Sequence, residues 1–478
     1  MRVVTGKTCI TADKKTIASG ISGRTLMKRA AGGLADFLNN FGAKNVVFVI
    51  GAGNNAGDGV VASGLLKKNI AREIFCIFPA NKVNDNVKWA EEICGEKILF
   101  QPSIKELKES FKTADCIVDC IFGTGFHGEV RGFAKSVIRT INNSGLPVVA
   151  CDVPSGIDSN TGQCSLSVRA TFTVTFGFPK LGLFLDPAMF CAGSVRAVDI
   201  GLKMPPVKSN IQMITAGEIR KKIPARTPLQ HKYGSGHVLV FAGKMKGAAV
   251  LAAMGALRSG AGLLTIVTDK KINIPEAIQI GYGTDIPEYI GRKKVKSVVF
   301  GCGWGRDDGS VLKLLSKIKI PKVIDADGIY LLKKFKYFGK IKNYILTPHS
   351  GEMKNLTSKN LNIPGKWEVV KEVSKKLKAV VLLKGFQTVI SDGQNVFINP
   401  TGNPVLASGG TGDLLSGMIA GFISQGMKNP DAVKAAAYIH GLSADILMKE
   451  KGGRGILVRE IASKIPLAIK KLLENKAV

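Results

Sequence analysis

The chain has 478 residues, too many for one ordinary hydrophobic core, so two or three domains are expected. It is 45% hydrophobic and 22% charged, and no apolar run approaches the roughly 18–20 residues that cross a bilayer, which points to a globular protein rather than a helical membrane protein. The net charge of +31, from 67 basic and 36 acidic residues, is spread along the chain without an RNP-like aromatic motif, a zinc finger or a basic tail. Nucleic acid is therefore not the expected partner, and a basic surface that attracts anionic nucleotides is.

The start, "MRVVTGKTCI", lacks the long apolar segment of a secretory signal. The nine cysteines show no C-x-x-C spacing, which suits free thiols in a reducing cytoplasm better than disulfides or zinc. Strand-like runs are expected at 46–50, 74–78, 116–121, 148–152, 171–176 and 195–200, with helical patterns around 86–93 and 134–142. Several of these strands are almost continuously apolar, as in a parallel sheet covered on both faces. The layout predicted for this half is a Rossmann-like three-layer α/β domain.

Residues 202–212, with two prolines and little periodicity, read as a linker, which places domains at 1–206 and 207–478. The strand pattern restarts at 237–243 after "HKYGSG", and continues at 263–268, 297–301, 322–327, 344–347, 379–385, 387–391 and 395–399.

"GAGNNAGDG" (51–59) sits between the strand-like "VVFVI" and a helical pattern. A dinucleotide fingerprint would need an acid at the end of the second strand, but that strand ends "CIFPA", so NAD-dependent hydride transfer is not expected. Asn54, Asn55 and Asp58 instead add hard oxygens, suited to a cation or to ribose and amide hydrogen bonds. Asp119 precedes a second glycine loop, and Asp152, Ser155 and Asp158 follow a further strand. Ligands of open α/β sheets bind at strand carboxyl ends, so three such loops together point to one site. Taken singly, each polar residue could equally cap a helix or close a turn.

The segments "GAGNNAGDG", "VDCIFGTGFHGEVRG" and "CDVPSGIDSNTG" resemble the signatures of the NAD(P)HX epimerase family, over roughly residues 1–205. That family interconverts the R and S forms of NAD(P)H hydrated at the nicotinamide ring. The resemblance implies substrate contacts at Asn54, Asn55, Ala56, Gly57 and Asp58. It implies further contacts at Gly123, Thr124, Gly125 and Phe126, at His127, Gly128 and Glu129, and at Asp152. It also implies K+ held by Asn55, Asp119 and Ser155. Ala56 departs from the family's usual N-N-G-G-D-G and is expected to narrow the loop slightly. Asp152 is expected to be the acid/base group, and its replacement by Asn to leave the fold intact.

"NPVLASGGTGDLLSGMIAGFI" (403–423) places Gly409, Gly410 and Gly412 before a helix, with Asp413 beside its positive end. Free N–H groups and a dipole of ~+0.5 charge make an anion hole, and the adjacent carboxylate can take a proton as a phosphate is attacked. No G-K-[ST] follows, so this is not a Walker A loop. The string resembles the ribokinase-like superfamily. With "GCGWG", "VIDADGI", "LTPHSGEM" and "LLKGFQTVI" in order, residues 210–478 resemble the ADP/ATP-dependent NAD(P)HX dehydratases. The resemblance implies nucleotide contacts at Lys384, Gly385, Phe386, Gln387, Thr388 and Gly412. It implies substrate contacts at Ala248, Gly303, His349 and Asp413, with Asp413 as base. Cys302 and Ser350 stand where the family often has proline.

The expected activity is epimerisation of R- and S-NADHX and NADPHX, and dehydration of the S form using ADP or ATP with Mg2+. The expected state is a homo-oligomer in the cytoplasm, away from membranes. The alternative is a ribokinase-like small-molecule kinase fused to a nucleotide-binding domain.

Overall fold

The structure is a computed structural model that describes residues 1–185, 187–204, 210–225, 234–357 and 366–474. It separates into two compact units, Met1–Ser209 and Asn210–Val478. The expected boundary at 206/207 and the segment 231–233 of "HKYGSG" lie outside the described residues.

In the first unit the strands β1 (Asn45–Ile50), β2 (Ala71–Cys76), β3 (Ile98–Phe100), β4 (Cys116–Cys120), β5 (Val148–Cys151), β6 (Phe172–Phe176) and β7 (Ser194–Val198) form one sheet. Their order is β3-β2-β1-β4-β5-β6-β7, and every pairing is parallel. Alternation within β1 makes the three layers. Val46, Phe48 and Ile50 pack with the helices Gly23–Phe41 and Asn54–Gly64, while Val47 and Val49 pack with Ile104–Thr113 and Gly132–Asn142. Two helices precede β1. Ser22 starts the second by accepting a hydrogen bond from Thr25 N at 3.1 Å, and Gly42 ends it in the left-handed region.

The second unit contains β8 (Ile211–Met213), β9 (His237–Phe241), β10 (Leu263–Val267), β11 (Ile278–Ile280), β12 (Ser297–Phe300), β13 (Lys322–Ile324), β14 (Tyr344–Leu346), β15 (Val380–Leu383), β16 (Val389–Ser391) and β17 (Val396–Ile398). They form a sheet ordered β11-β10-β9-β12-β13-β14-β15-β16-β17-β8. It is parallel except where β16 runs against β15 and β17. Residues 211 and 212, read from sequence as linker, belong to the edge strand β8, which pairs in parallel with β17. This partly exposed edge strand, IQM, has no apolar run to announce it, and its pairing partner lies far along the chain.

One face of this sheet carries Val238, Val240 and Ala242 against the helices Lys246–Arg258, Thr411–Ser424 and Asn429–Lys451. The first two approach so closely that an ideal Cβ on Gly417 would lie 1.8 Å from Ala252 O, and one on Gly255 2.1 Å from Leu414 O. Glycine is required there by backbone proximity, and the contact fixes the start of Thr411–Ser424, where Asp413 sits.

Gly417→Ala should therefore destabilise the second unit by about 2–3 kcal/mol through overpacking. Gly247→Ala, at an exposed helical position with open space around it, should be neutral or slightly stabilising. Denaturant midpoints of the two variants should differ accordingly; equal midpoints would contradict the close-contact reading.

Candidate active sites

Sheet order in the first unit reverses between β1 and β4, and the candidate residues follow the carboxyl ends of β1, β4 and β5. Residues 54–58 open the helix Asn54–Gly64 and do not lie in an open loop as the sequence suggested. The Ala56 methyl is buried in the core, so it narrows no loop, and only its backbone remains for ligand contact. Gly57 accommodates the Met27 side chain, which a Cβ would meet at 2.8 Å. Asn54 Oδ1 accepts hydrogen bonds from the Asn84 and Asn86 amides at 2.8 and 3.1 Å, which fixes its orientation.

Asn55 donates from Nδ2 to the Phe122 carbonyl at 2.9 Å, while its Oδ1 is buried without a partner. Beside it, Asp119 is fully buried in β4. Its carboxylate accepts from Ser155 Oγ at 2.6 Å, Ser155 N at 2.8 Å and Ile121 N at 3.2 Å. Burial raises Asp119 to about 6 despite the opposing Ser155 hydrogen bonds. An orphaned amide oxygen, a buried carboxylate and a hydroxyl are hard donors that fit a monovalent cation.

The second glycine loop closes over this cluster. A Cβ on Gly123 would lie 3.2 Å from Asn55 Cβ, Ser159 Oγ donates to Thr124 O at 3.0 Å, and Phe126 stacks on Phe122 at 4.8 Å between ring centroids. Gly125, His127, Gly128 and Glu129 are exposed. His127 Nδ1 lies 2.8 Å from Asp158 Oδ2. Asp158 also closes a turn on the amides of Asn160 and Thr161. Partial burial works against the Asp158 anion, but those hydrogen bonds, led by His127, bring it down to about 2.

Asp152 does not stand free at the sheet edge. It adopts φ 66°, and its Oδ1 accepts from Thr175 Oγ1 at 3.1 Å, Phe176 N at 3.0 Å and the buried ammonium of Lys180. Asp152→Asn is therefore expected to cost stability, and not to leave the fold untouched as the sequence suggested, because Lys180 would keep a buried charge without its carboxylate. Burial pulls the Lys180 ammonium down, but Asp152, Cys9 and Asp13 outweigh it and raise it overall. Cys9 and Asp13 come from the first helix, Gly6–Ala18. Asp13 is raised to about 6 by burial, and Asp58 is raised well above the usual range by burial and then by Asp152 and Asp13. Sequence reasoning missed Lys180, Cys9 and Asp13; the only local signal was a lysine inside the apolar stretch "FGFPKLG".

In the second unit order reverses between β9 and β12, and the candidate residues follow β9, β12, β14 and β15, with Gly412 and Asp413 on the helix Thr411–Ser424 after β17. Gly410 begins Thr411–Ser424 in the left-handed conformation with no side-chain cap, so the helix start is not closed by a Thr or Asp hydrogen bond. Asp413, half-buried in that first turn, is raised to about 6 by burial and by Asp325, while Cys302 and Lys384 hold it down.

Asp325 is the residue the sequence reading missed here. It is buried, and it accepts from Lys384 Nζ at 2.7 Å, Ser416 Oγ at 2.8 Å and Ala326 N at 2.8 Å. An acid at the carboxyl end of β13, in "VIDAD", was the available signal. Cys302 Sγ and carboxylate oxygens of Asp325 and Asp413 all lie within 4.8 Å of one another, with the Lys384 ammonium supplying the positive charge among them. A Cβ on Gly412 would meet Lys384 Nζ at 3.1 Å, so the glycine loop and the lysine share one space.

Ala248 and Gly303 are brought together because Met245 N donates to Gly303 O at 2.9 Å, and a Cβ on Gly303 would lie 2.9 Å from Ala248 Cβ. In the 384–388 loop, Gly385 and Gln387 have φ 148° and 51°, Thr388 Oγ1 donates to Gly385 O at 3.0 Å, and Phe386 is exposed. His349 has a local role: its Nδ1 accepts from Gly351 N at 3.0 Å and Glu352 N at 3.3 Å, starting the helix Ser350–Thr357. Its proton therefore sits on Nε2, 3.4 Å from Glu352 Oε1.

Comparison with known proteins follows this division. A family model described as YjeF-related protein N-terminus matches residues 23–182, and one described as NAD(P)H-hydrate dehydratase matches residues 238–467. The bifunctional NAD(P)H-hydrate repair enzyme of Moorella thermoacetica is 33% identical over 470 residues, covering 90% of this chain and 88% of the relative. That of Coxiella burnetii is 32% identical over 473 residues, covering 94% and 95%. A ribokinase-like superfamily protein of Enterococcus faecalis, solved by crystallography, is 25% identical with TM-score 0.50, over 56% of this chain and 99% of that one. Among the described residues no helix is long and apolar enough to cross a membrane. The chain belongs to the family of bifunctional NAD(P)H-hydrate repair enzymes.

Proposed function

We propose that the two units divide the repair of hydrated NAD(P)H. The first interconverts R- and S-NADHX and NADPHX; the second dehydrates the S form, using ADP or ATP and giving AMP or ADP and phosphate. The observation that carries this reading is the pairing, at both sheet switch points, of a glycine loop opening onto a helix start with buried aspartates.

In the first unit, the backbone around Gly57 and the loop from Gly123 to Glu129 would take the dinucleotide, and Asp152 would face the hydrated ring. Epimerisation breaks and remakes the bond between the ring carbon and its hydroxyl oxygen, and the ring nitrogen carries the intermediate's positive charge. A carboxylate beside it stabilises that charge, and a neighbouring acid can protonate departing hydroxide. K+ would be held by Asn55, Asp119 and Ser155, where it would supply fixed positive charge beside the phosphates.

In the second unit, Gly412 and residues 384–388 would hold the nucleotide, with Mg2+ on its phosphate oxygens, and Ala248, Gly303 and His349 would line the substrate. Asp413 takes the proton from the ring hydroxyl as its oxygen attacks the terminal phosphorus, and the bond to the nucleotide's remaining phosphate breaks. Phosphate then leaves with its C–O electron pair, the ring nitrogen lone pair assists, and loss of a proton from the adjacent carbon restores the dihydronicotinamide. Lys384, paired with Asp325, is placed to meet phosphoryl charge. A homo-oligomer is part of the same proposal.

Adding nucleotide to acid-aged NADH should restore the reduced-nicotinamide absorbance and release free phosphate. A stable phosphorylated product instead would favour a small-molecule kinase. Asp413→Asn should lower dehydration by roughly 10²–10⁴ and leave epimerisation intact. The base must be ionised, so dehydration should fall as pH drops through about 6. Because the Cys302 hydrogen bond holds Asp413 down, Cys302→Ala should move that limb to higher pH.

For the first unit, Asp152→Asn should abolish most R-to-S conversion and cost about 3 kcal/mol in stability, as should Lys180→Met. Asn tolerates the left-handed backbone at 152, so the double variant should recover part of the stability but not the activity. Chromatography of the epimers and thermal melts check both, and an active Asp152→Asn variant would refute the assignment.

A further inference from the structure

Cys164 and Cys191 are half-buried, and the Cys164 side chain is the largest influence on the Cys191 thiol. They lie in the first unit on segments that take no part in the chemistry above. Two backbone bonds bracket them: Ala188 N donates to Gly162 O at 3.2 Å, and Ala170 N to Cys191 O at 2.8 Å. The segments carrying the two thiols are thus already held side by side, so joining the sulfurs needs no large rearrangement.

The surroundings make one thiol nucleophilic. The Cys164 side chain, opposed by burial but helped by the Arg169 charge, lowers Cys191 to about 6. The third half-buried thiol, Cys94, is raised by burial and by Glu96. The other six cysteines are buried.

We infer that Cys164 and Cys191 are an oxidant-reactive pair that closes reversibly to a disulfide on contact with a hydroperoxide. The Cys191 thiolate attacks a peroxide oxygen and the O–O bond breaks. Cys191 becomes a sulfenic acid, and the departing hydroxide takes up a proton to give water when the oxidant is hydrogen peroxide. Cys164 sulfur then attacks the sulfenic sulfur, the S–O bond breaks, and a second water leaves with the Cys164 proton. Two thiols lose two electrons and one peroxide gains them.

The bond would brace the segment between Ser155, which holds Asp119, and β6, the strand that donates to Asp152. Oxidation therefore reaches the first site through its supporting loop.

The test is limited hydrogen peroxide on the reduced full-length protein at pH 7, followed by peptide mapping. A thiol at about 6 has roughly ninety times the thiolate of one at the ordinary 9.0, and its weaker nucleophilicity leaves an advantage of about fourfold. Cys191 should thus oxidise at least severalfold faster than Cys94. A cross-linked Cys164–Cys191 peptide should form with loss of about 2 Da, dithiothreitol should reverse it, and the first unit's melting temperature should rise on the order of 5 °C. Cys164→Ser should stop Cys191 at the sulfenic acid, trapped by dimedone, and Cys191→Ser should abolish the adduct. Oxidation of Cys191 no faster than Cys94, absence of the cross-linked peptide, or a cross-link without the thermal shift would overturn the inference; the wild-type map decides it even if a variant fails to fold.

Discussion

A parallel strand covered by helices on both faces has only its ends free, and that constraint governs both units of this chain. In β1, Val46, Phe48 and Ile50 are committed to one helical layer and Val47 and Val49 to the other. Polar chemistry is displaced to the carboxyl ends, and space for a ligand opens where neighbouring crossovers diverge. That divergence falls between β1 and β4 in one sheet and between β9 and β12 in the other. The two units share no visible repeat, yet they reach the same solution because the same packing rule leaves them one choice.

Glycine then does two different jobs at these edges. Gly410 takes the left-handed conformation and leaves the start of Thr411–Ser424 uncapped by any side chain. Gly417 and Gly255 let that helix press on Lys246–Arg258, with no room for a methyl group between the backbones. The first use exposes N–H groups to an anion, and the second holds them still. A preorganised dipole stabilises charge only if it need not move when the charge develops, so the packing glycines serve electrostatics as much as stability.

What could be read beforehand was what is written locally. Apolar runs announced most strands, the glycine strings with Asp119 and Asp152 announced strand ends, and the one with Asp413 announced a helix start. Strands β3, β8 and β11 escaped because each is a short, partly exposed edge strand, and β8 is defined by a partner more than a hundred residues away. Lys180 and Asp325 escaped for a related reason. A lysine in an apolar stretch reads as a solvated charge until the fold sets it against Asp152, and an acid in "VIDAD" reads as a turn until Lys384 and Ser416 arrive from elsewhere. His349 shows the converse, since its local helix-starting bonds are the bland role a loop histidine allows.

The two sites also share an electrostatic plan that neither motif reveals. Each holds one aspartate in a pair with a lysine, Asp152 with the buried Lys180 and Asp325 with the half-buried Lys384. Each also holds a second aspartate near the start of a helix, driven up by burial and by the first aspartate's charge: Asp58 in one unit and Asp413, at about 6, in the other. Neighbouring carboxyls with separated proton affinities can take different roles, one staying charged while the other gives or takes a proton near neutral pH. The lysine is what allows the arrangement. The lysine offsets the charge of the aspartate it pairs with, and that aspartate's charge in turn raises its neighbour. The difference in degree fits the chemistry assigned to each site. Asp58, pushed far up, is suited to donate a proton to departing hydroxide, whereas Asp413, kept near 6 by Cys302 and Lys384, is ionised often enough to accept one.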